Sequence, residues 1–204
     1  MTGVQTCALR SYTDIAAGKI ASIVTYLEMR GRPRPSTAAA PPGMTFRRVP
    51  RPDLDWYRKL YRAVGEEWLW FSRLRMNDAE LVDVLHDPRV EIFALSSGGE
   101  DRGLLELDCR CMPDIEIASF GLTSDLVGQG AGRYLMACAL EVAWAQSPQR
   151  VCVHTCTLDS ARALSFYIKA GFVPSKRAIE VSDDPRITGE IPKNVAKNVP
   201  LIGG

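Results

Sequence analysis

The chain has 204 residues, 46% hydrophobic and 24% charged, with 25 basic against 24 acidic side chains and a net charge of +1. That balance describes one ordinary globular domain with room for a core plus extensions, and it excludes nucleic acid or an anionic membrane as the main partner. No apolar run reaches the roughly twenty residues needed to cross a bilayer, and six cysteines without a Cys-x-x-Cys pair, beside only His86 and His154, argue against a zinc site.

Residues Met1–Arg10, Cys7 among them, resemble translated sequencing-adapter sequence and are set aside. With no signal peptide in view, the expectation is a reducing cytoplasmic setting with free thiols. Ile20–Leu27 is rich in β-branched residues and reads as a strand, although Ile20, Ile23, Val24 and Leu27 also fit a helix face. Gly31–Gly43, with Pro33, Pro35, Pro41 and Pro42, reads as a linker. The boundaries that follow are an extension over 1–43, a domain over 44–182 and a tail over 183–204.

Phe46–Val49 reads as the first strand of an antiparallel sheet. Trp56, Leu60 and Val64 then recur at helical spacing, with Gly65 as a stop. Trp68, Trp70 and Phe71 follow, flanked by Arg73 and Arg75; such a segment either lines a pocket, an arginine pairing a substrate carboxylate, or packs as core with snorkelling arginines. Asn77-Asp-Ala-Glu80 is a capping-box start for a helix ending before Pro88. Val90–Leu95 and Leu104–Cys109 around a glycine-rich turn read as a hairpin, and a turn at Met112–Asp114 delivers a third strand, to Leu122.

That strand runs into Gly128, Gly130 and Gly132, which open an apolar-periodic helix. Glycines let the backbone approach a ligand, and the first amides of a helix lack carbonyl partners, so the loop can aim several N–H groups at one anion. Further on, Val151–Cys156 reads as a strand, Asp159 or Ser160 as a cap, then a short helix, a stop at Gly171 and a strand over Lys176–Ser182. The order is unlike a dinucleotide-binding unit, in which the glycine loop follows the first strand of a parallel set.

The glycine loop, followed at this separation by Ala163-x-x-Phe166-Tyr167-x-x-x-Gly171-Phe172, resembles the GNAT acetyltransferase superfamily over roughly residues 44–182. The resemblance implies an α/β (α+β) fold: a single domain with a mixed, mostly antiparallel central sheet and helices on both faces. It implies acetyl-CoA as cosubstrate, bound through Phe120, Gly121, Leu122, Gly128, Gln129, Gly130, Ala131, Gly132, Arg133 and Ser160. A primary amine of a small molecule is the implied acceptor, with Trp70, Arg73 and Arg75 as its candidate contacts. Val127 stands where the family pattern has Gln or Arg, which removes one side-chain contact to the cofactor. Tyr167 occupies the position of the family's usual acid, and a phenol suits protonation of a leaving thiolate. The oxyanion donor is expected on the backbone around Phe120–Leu122, with Gly121 marking a distortion. For the base, Glu116, Glu106, His154 and a water chain stay open, with Glu116 and Tyr167 as the candidate catalytic residues. Cys138 and Cys152 have no partner base in sequence, so a covalent route is set aside. A non-catalytic acyl-CoA sensor or interaction module is the alternative, and a homodimer is left open.

Overall fold

A computed structural model describes residues 12–34 and 39–203; Met1–Arg10 lie outside them. Seven strands, β1 (Lys19–Met29), β2 (Met44–Arg48), β3 (Val90–Ser97), β4 (Glu100–Asp108), β5 (Asp114–Leu122), β6 (Arg150–Cys156) and β7 (Val173–Asp183), form one sheet in the order β2-β3-β4-β5-β6-β1-β7. Neighbours pair antiparallel except β5 (Asp114–Leu122) and β6 (Arg150–Cys156), which run parallel. β2 (Met44–Arg48), β3 (Val90–Ser97), β4 (Glu100–Asp108) and β5 build the expected antiparallel half. The β3–β4 turn is tighter than expected, because Gly98 and Gly99 both take positive φ and carry the reversal by themselves.

The other half holds the main departure from the sequence reading. β1 (Lys19–Met29) is the expected strand, but it lies inside the sheet, paired to β6 on one side and to β7 (Val173–Asp183) on the other. A boundary at Met44 therefore cuts a strand out of the sheet. Alternation along β1 puts Ile20, Ser22 and Val24 on one face and Leu27 and Met29 on the other, and all five are buried. Its buried side changes partway along, and a segment buried on both faces loses the clean two-residue period.

Two cores flank the sheet. On one face, α1 (Leu54–Gly65) and α3 (Asp78–Leu85) cover residues such as Ile92 and Leu104. α1 starts where the Asp53 carboxylate caps the Trp56 amide, and it buries Tyr57, Leu60, Tyr61 and Val64. Trp56 instead lies half-buried, its indole N–H donated to Asp101 at 2.9 Å. The capping box of Asn77 and Glu80 is formed in both directions. On the opposite face, α4 (Ala131–Ala145) and α5 (Ala163–Lys169) pack over Leu105, Leu107, Ile115, Ile117 and Val153.

The tail joins the domain. α6 (Pro185–Thr188) is capped by Asp184, which also holds the buried Arg186, and the Arg186 guanidinium donates to the Val199 carbonyl at 2.8 Å. Ile191 closes over Ile20 and Leu69, and the Gly18 amide donates to the Ile202 carbonyl at 2.9 Å. Among the described residues no helix is long and apolar enough to cross a membrane.

Candidate functional site

The β5–β6 ladder stops early. Its pairs run from Asp114↔Arg150 to Ile117↔Val153, yet β5 continues to Leu122 and β6 to Cys156. A bulge at the start of this parting leaves Ala118 without a partner on β4, between the pairs Ile117↔Leu107 and Ser119↔Glu106. Beyond it the edge of β5 facing β6 carries backbone groups with no strand to take them, and a cleft of about 870 Å³ opens there. The distortion sits at Ala118 rather than Gly121. Gly121 answers a different demand: a Cβ there would stand 2.4 Å from Val64 Cγ1, so the glycine lets α1 approach the strand.

One end of the cleft is the glycine loop. Gly128 (φ 89°) and Gly130 (φ 83°) are left-handed, and Gly130 is the N-cap of α4 with no side chain capping it. Among the described residues the amides of Gly130, Ala131, Gly132 and Arg133 have no protein acceptor. Gly132 is helical, and a Cβ on it would meet nothing closer than Leu122 at 3.7 Å, so its value lies in the room it leaves in the cleft wall. Arg133 and Arg162 line this end without an acidic partner among the described residues, together with Ser124, Val127 and Ser160. Unpaired amides, open space and two free guanidinium groups fit a phosphorylated ligand such as the pyrophosphate of acetyl-CoA. Of the sequence-selected cofactor residues, Phe120, Gly121, Leu122, Gly128, Gly130, Gly132, Arg133 and Ser160 line the cleft. Gln129 and Ala131 do not: the Gln129 side-chain amide turns back to the Asp125 carbonyl at 2.7 Å and its backbone N–H to the Leu126 carbonyl at 3.4 Å, and the Ala131 side chain is core. α5 is capped by neither expected residue; its N-cap is Arg162.

Tyr167 stands in the wall between loop and sheet, 7% exposed, ringed by Phe120, Phe166 and Phe172 at centroid distances of 5.6–6.1 Å. Burial, reinforced by the nearby Asp159 charge, pushes its phenol well above the ordinary tyrosine range. Gly171 (φ 102°) ends α5 and turns Phe172 into this cluster.

The other end lies under the segment between α1 and α2 (Ser72–Arg75). A 3-10 turn over Glu66–Trp68 closes on Leu69, a buried residue in the left-handed region (φ 57°), and the chain then delivers Trp70 to the cleft. The Trp70 indole N–H donates to Asp159 Oδ1 at 3.1 Å, and Asp159 Oδ2 accepts from the Thr155 hydroxyl at 2.7 Å and the Cys156 amide at 2.8 Å. Asp159, which sequence offered only as a cap, thus ties the end of β6 to the α1–α2 segment.

The candidate arginines are drawn away from the cleft. Arg73 reaches the fully buried Glu106, which also accepts from the Tyr57 hydroxyl at 2.6 Å. Burial opposes the Arg73 charge, but the carboxylate against it holds the guanidinium protonated more firmly than usual. Arg75 pairs with Glu190 at 2.8 Å and lies over the Phe71 ring at 4.4 Å, fastening the tail. What lines this end instead is acidic: Glu67, Asp159 and Glu180, of which Glu67 and Glu180 have no ion-pair partner among the described residues. Glu106, in its buried cluster, and Glu116 also stay off the cleft wall. Glu116 meets His154 Nδ1 at 3.1 Å, and it is His154 that lines the cleft. Among the described residues no cluster of side chains suits a metal ion.

No protein-family model and no curated protein matches the chain, but solved structures do. A protein of unknown function from Staphylococcus epidermidis matches with a TM-score of 0.54 at 14% identity, over 82% of this chain and 64% of that one. A GCN5-related N-acetyltransferase from Sphaerobacter thermophilus gives 0.58 at 14%, over 80% of this chain and 52% of that one, so the chain spans under two thirds of both proteins. An aminoglycoside acetyltransferase from an uncultured soil metagenomic sample, in complex with sisomicin, gives 0.55 at 17%, over 68% of this chain and 93% of that one. With its mixed seven-stranded sheet parting beside a glycine loop, the chain has the fold of the GCN5-related N-acetyltransferases, the GNAT superfamily.

Proposed function

We propose that the protein transfers the acetyl group of acetyl-CoA to a primary amine by direct attack. The observation that carries this reading is the coincidence, in one cleft, of unpaired amides at the start of α4, the open edge of β5 and the buried phenol of Tyr167. Acetyl-CoA supplies an activated acyl group as a thioester. The unpaired amides of Gly130, Ala131, Gly132 and Arg133 would hold its pyrophosphate, several aligned hydrogen bonds being needed because each charged one contributes about 1.5–3 kcal/mol. Backbone N–H groups on the open edge of Phe120–Leu122 would stabilise the oxyanion. Tyr167, neutral across the working range, would protonate the departing thiolate.

The acidic end of the cleft supports a cationic acceptor. Glu67, Asp159 and Glu180 beside Trp68 and Trp70 would favour an ammonium group with apolar surface around it. A substrate carboxylate has no free arginine to meet at this end, since Arg73 and Arg75 are paired with Glu106 and Glu190. One structural neighbour, an aminoglycoside acetyltransferase, is in complex with sisomicin.

The test is calorimetric titration of the full chain with acetyl-CoA, followed by thiol release on addition of amines. Binding that is lost in Gly130→Val and kept in Tyr167→Phe, with thiol release falling about 10²-fold or more in the latter, supports the reading. Absence of binding refutes it. Binding without release for any amine favours a sensor, the alternative to which the exposed Val127 in place of a polar contact points.

A further inference from the structure

We infer that His154 is the base that takes the proton from the acceptor's ammonium group, with Glu116 as its positioning residue. The inference rests on the acyl-transfer reading and completes it, since an amine that is charged in solution attacks a thioester only after losing a proton.

His154 is the first residue of β6 beyond the last pair with β5, Ile117↔Val153, so it stands where the two strands part. Glu116 pairs with Cys152, two residues earlier on β6, and a two-residue step returns to the same face of the sheet. The carboxylate therefore reaches back to the ring, with Oε1 at 3.1 Å from Nδ1. A carboxylate accepts only, so Nδ1 carries the hydrogen of the neutral ring and Nε2 carries the free lone pair. Nε2 has no partner among the described residues, and the residue lines the cleft. The Tyr26 ring packs against the imidazole with centroids 5.7 Å apart, which restrains its tilt. A base so held, in one cleft with Tyr167 as acid, separates the two proton roles between different strands and helices.

The carboxylates around the ring all favour its protonated form. Glu116 on β5 is first, then Asp159 after β6 and Glu180 on β7; the Lys176 ammonium of β7, over the Tyr26 ring of β1 at 5.2 Å, opposes them. The Glu116 hydrogen bond outweighs desolvation, so His154 titrates above its ordinary value. The active form is the neutral ring. Rate therefore rises with pH through the raised value, and weakening the carboxylate moves that rise to lower pH.

The experiment measures kcat/KM for thiol release against pH with the full chain, using benzylamine, an ammonium ion at neutral pH, and aniline, which is already neutral. His154→Gln should lose about 10²–10⁴-fold with benzylamine and far less with aniline, with acetyl-CoA affinity by calorimetry unchanged. Glu116→Gln should lower the plateau, because an amide no longer fixes the tautomer that frees Nε2, and should shift the rise downward toward pH ~6.5. Proton NMR of the His154 ring, distinguished from His86 by His154→Gln, should show the same downward shift without any turnover. Wild-type transfer with an unaltered pH rise in His154→Gln, or a ring titration indifferent to Glu116→Gln, overturns the assignment. Failure of the wild-type chain to bind acetyl-CoA overturns the acyl-transfer reading beneath it, a separate and recognisable result.

Discussion

Replacing Gly65 with alanine separates two explanations for that glycine. If it merely ended α1, alanine would be tolerated or would gain up to ~1 kcal/mol from helix propensity. In the structure its φ is −114°, an ordinary value, and the chain has no conformational need of glycine there. What the position lacks is room: an added Cβ would stand 2.4 Å from Trp70 Cδ2 and Cε3 and 2.5 Å from Cγ. These atoms are at the fixed root of the indole, so the whole ring has to retreat by about 1 Å to reach ordinary contact. Overpacking of that kind costs about 1–3 kcal/mol, and the retreat strains the 3.1 Å bond from the Trp70 indole to Asp159, a further ~0.5–1.5 kcal/mol. After subtracting the propensity gain, Gly65→Ala should destabilise by about 1–3 kcal/mol, read as a fall of roughly 1 M in the urea midpoint. In a Trp70→Ala background the same change should be neutral or stabilising. An unchanged or raised midpoint in the single variant would refute the packing argument.

Three further outcomes follow from the same structure. A chain beginning at residue 32 lacks β1 and with it the burial of Ile20, Val24, Leu27 and Met29, at ~1.5–3 kcal/mol each comparable to a whole domain's stability; it should show no cooperative unfolding by circular dichroism until a peptide spanning residues 12–31 is added, and a native midpoint without the peptide would contradict this. Arg73→Met should cost about 3–5 kcal/mol by stranding the buried Glu106, with most of it recovered in Arg73→Met/Glu106→Gln; full stability with a raised KM for the amine would return Arg73 to the cleft. Because the acid form of Tyr167 is the useful one and its phenol is raised, no alkaline loss of kcat from this residue should appear below about pH 10; a tyrosine-dependent fall near pH 8, absent in Tyr167→Phe, would refute the raised phenol.

What the sequence by itself determined is what acts over a few residues. Gly128 and Gly130 need positive φ, Asn77 caps the helix that follows it, and Gly171 ends α5, each through contacts with near neighbours in the chain. The strand, glycine-loop, helix and strand order over 114–172 was therefore legible, and with it the position of Tyr167. Other features depended on partners far away in sequence. β1 reads ambiguously because it is buried on both faces at different points along its length, and only the gap between β6 and β7 places it. Arg73 and Arg75 look free in sequence; their carboxylates are 33 and 115 residues distant. His154 resembles any strand histidine until folding brings Glu116, 38 residues earlier, against its ring. Charge pairing in a folded chain follows spatial proximity, which the strand order sets and local sequence does not encode.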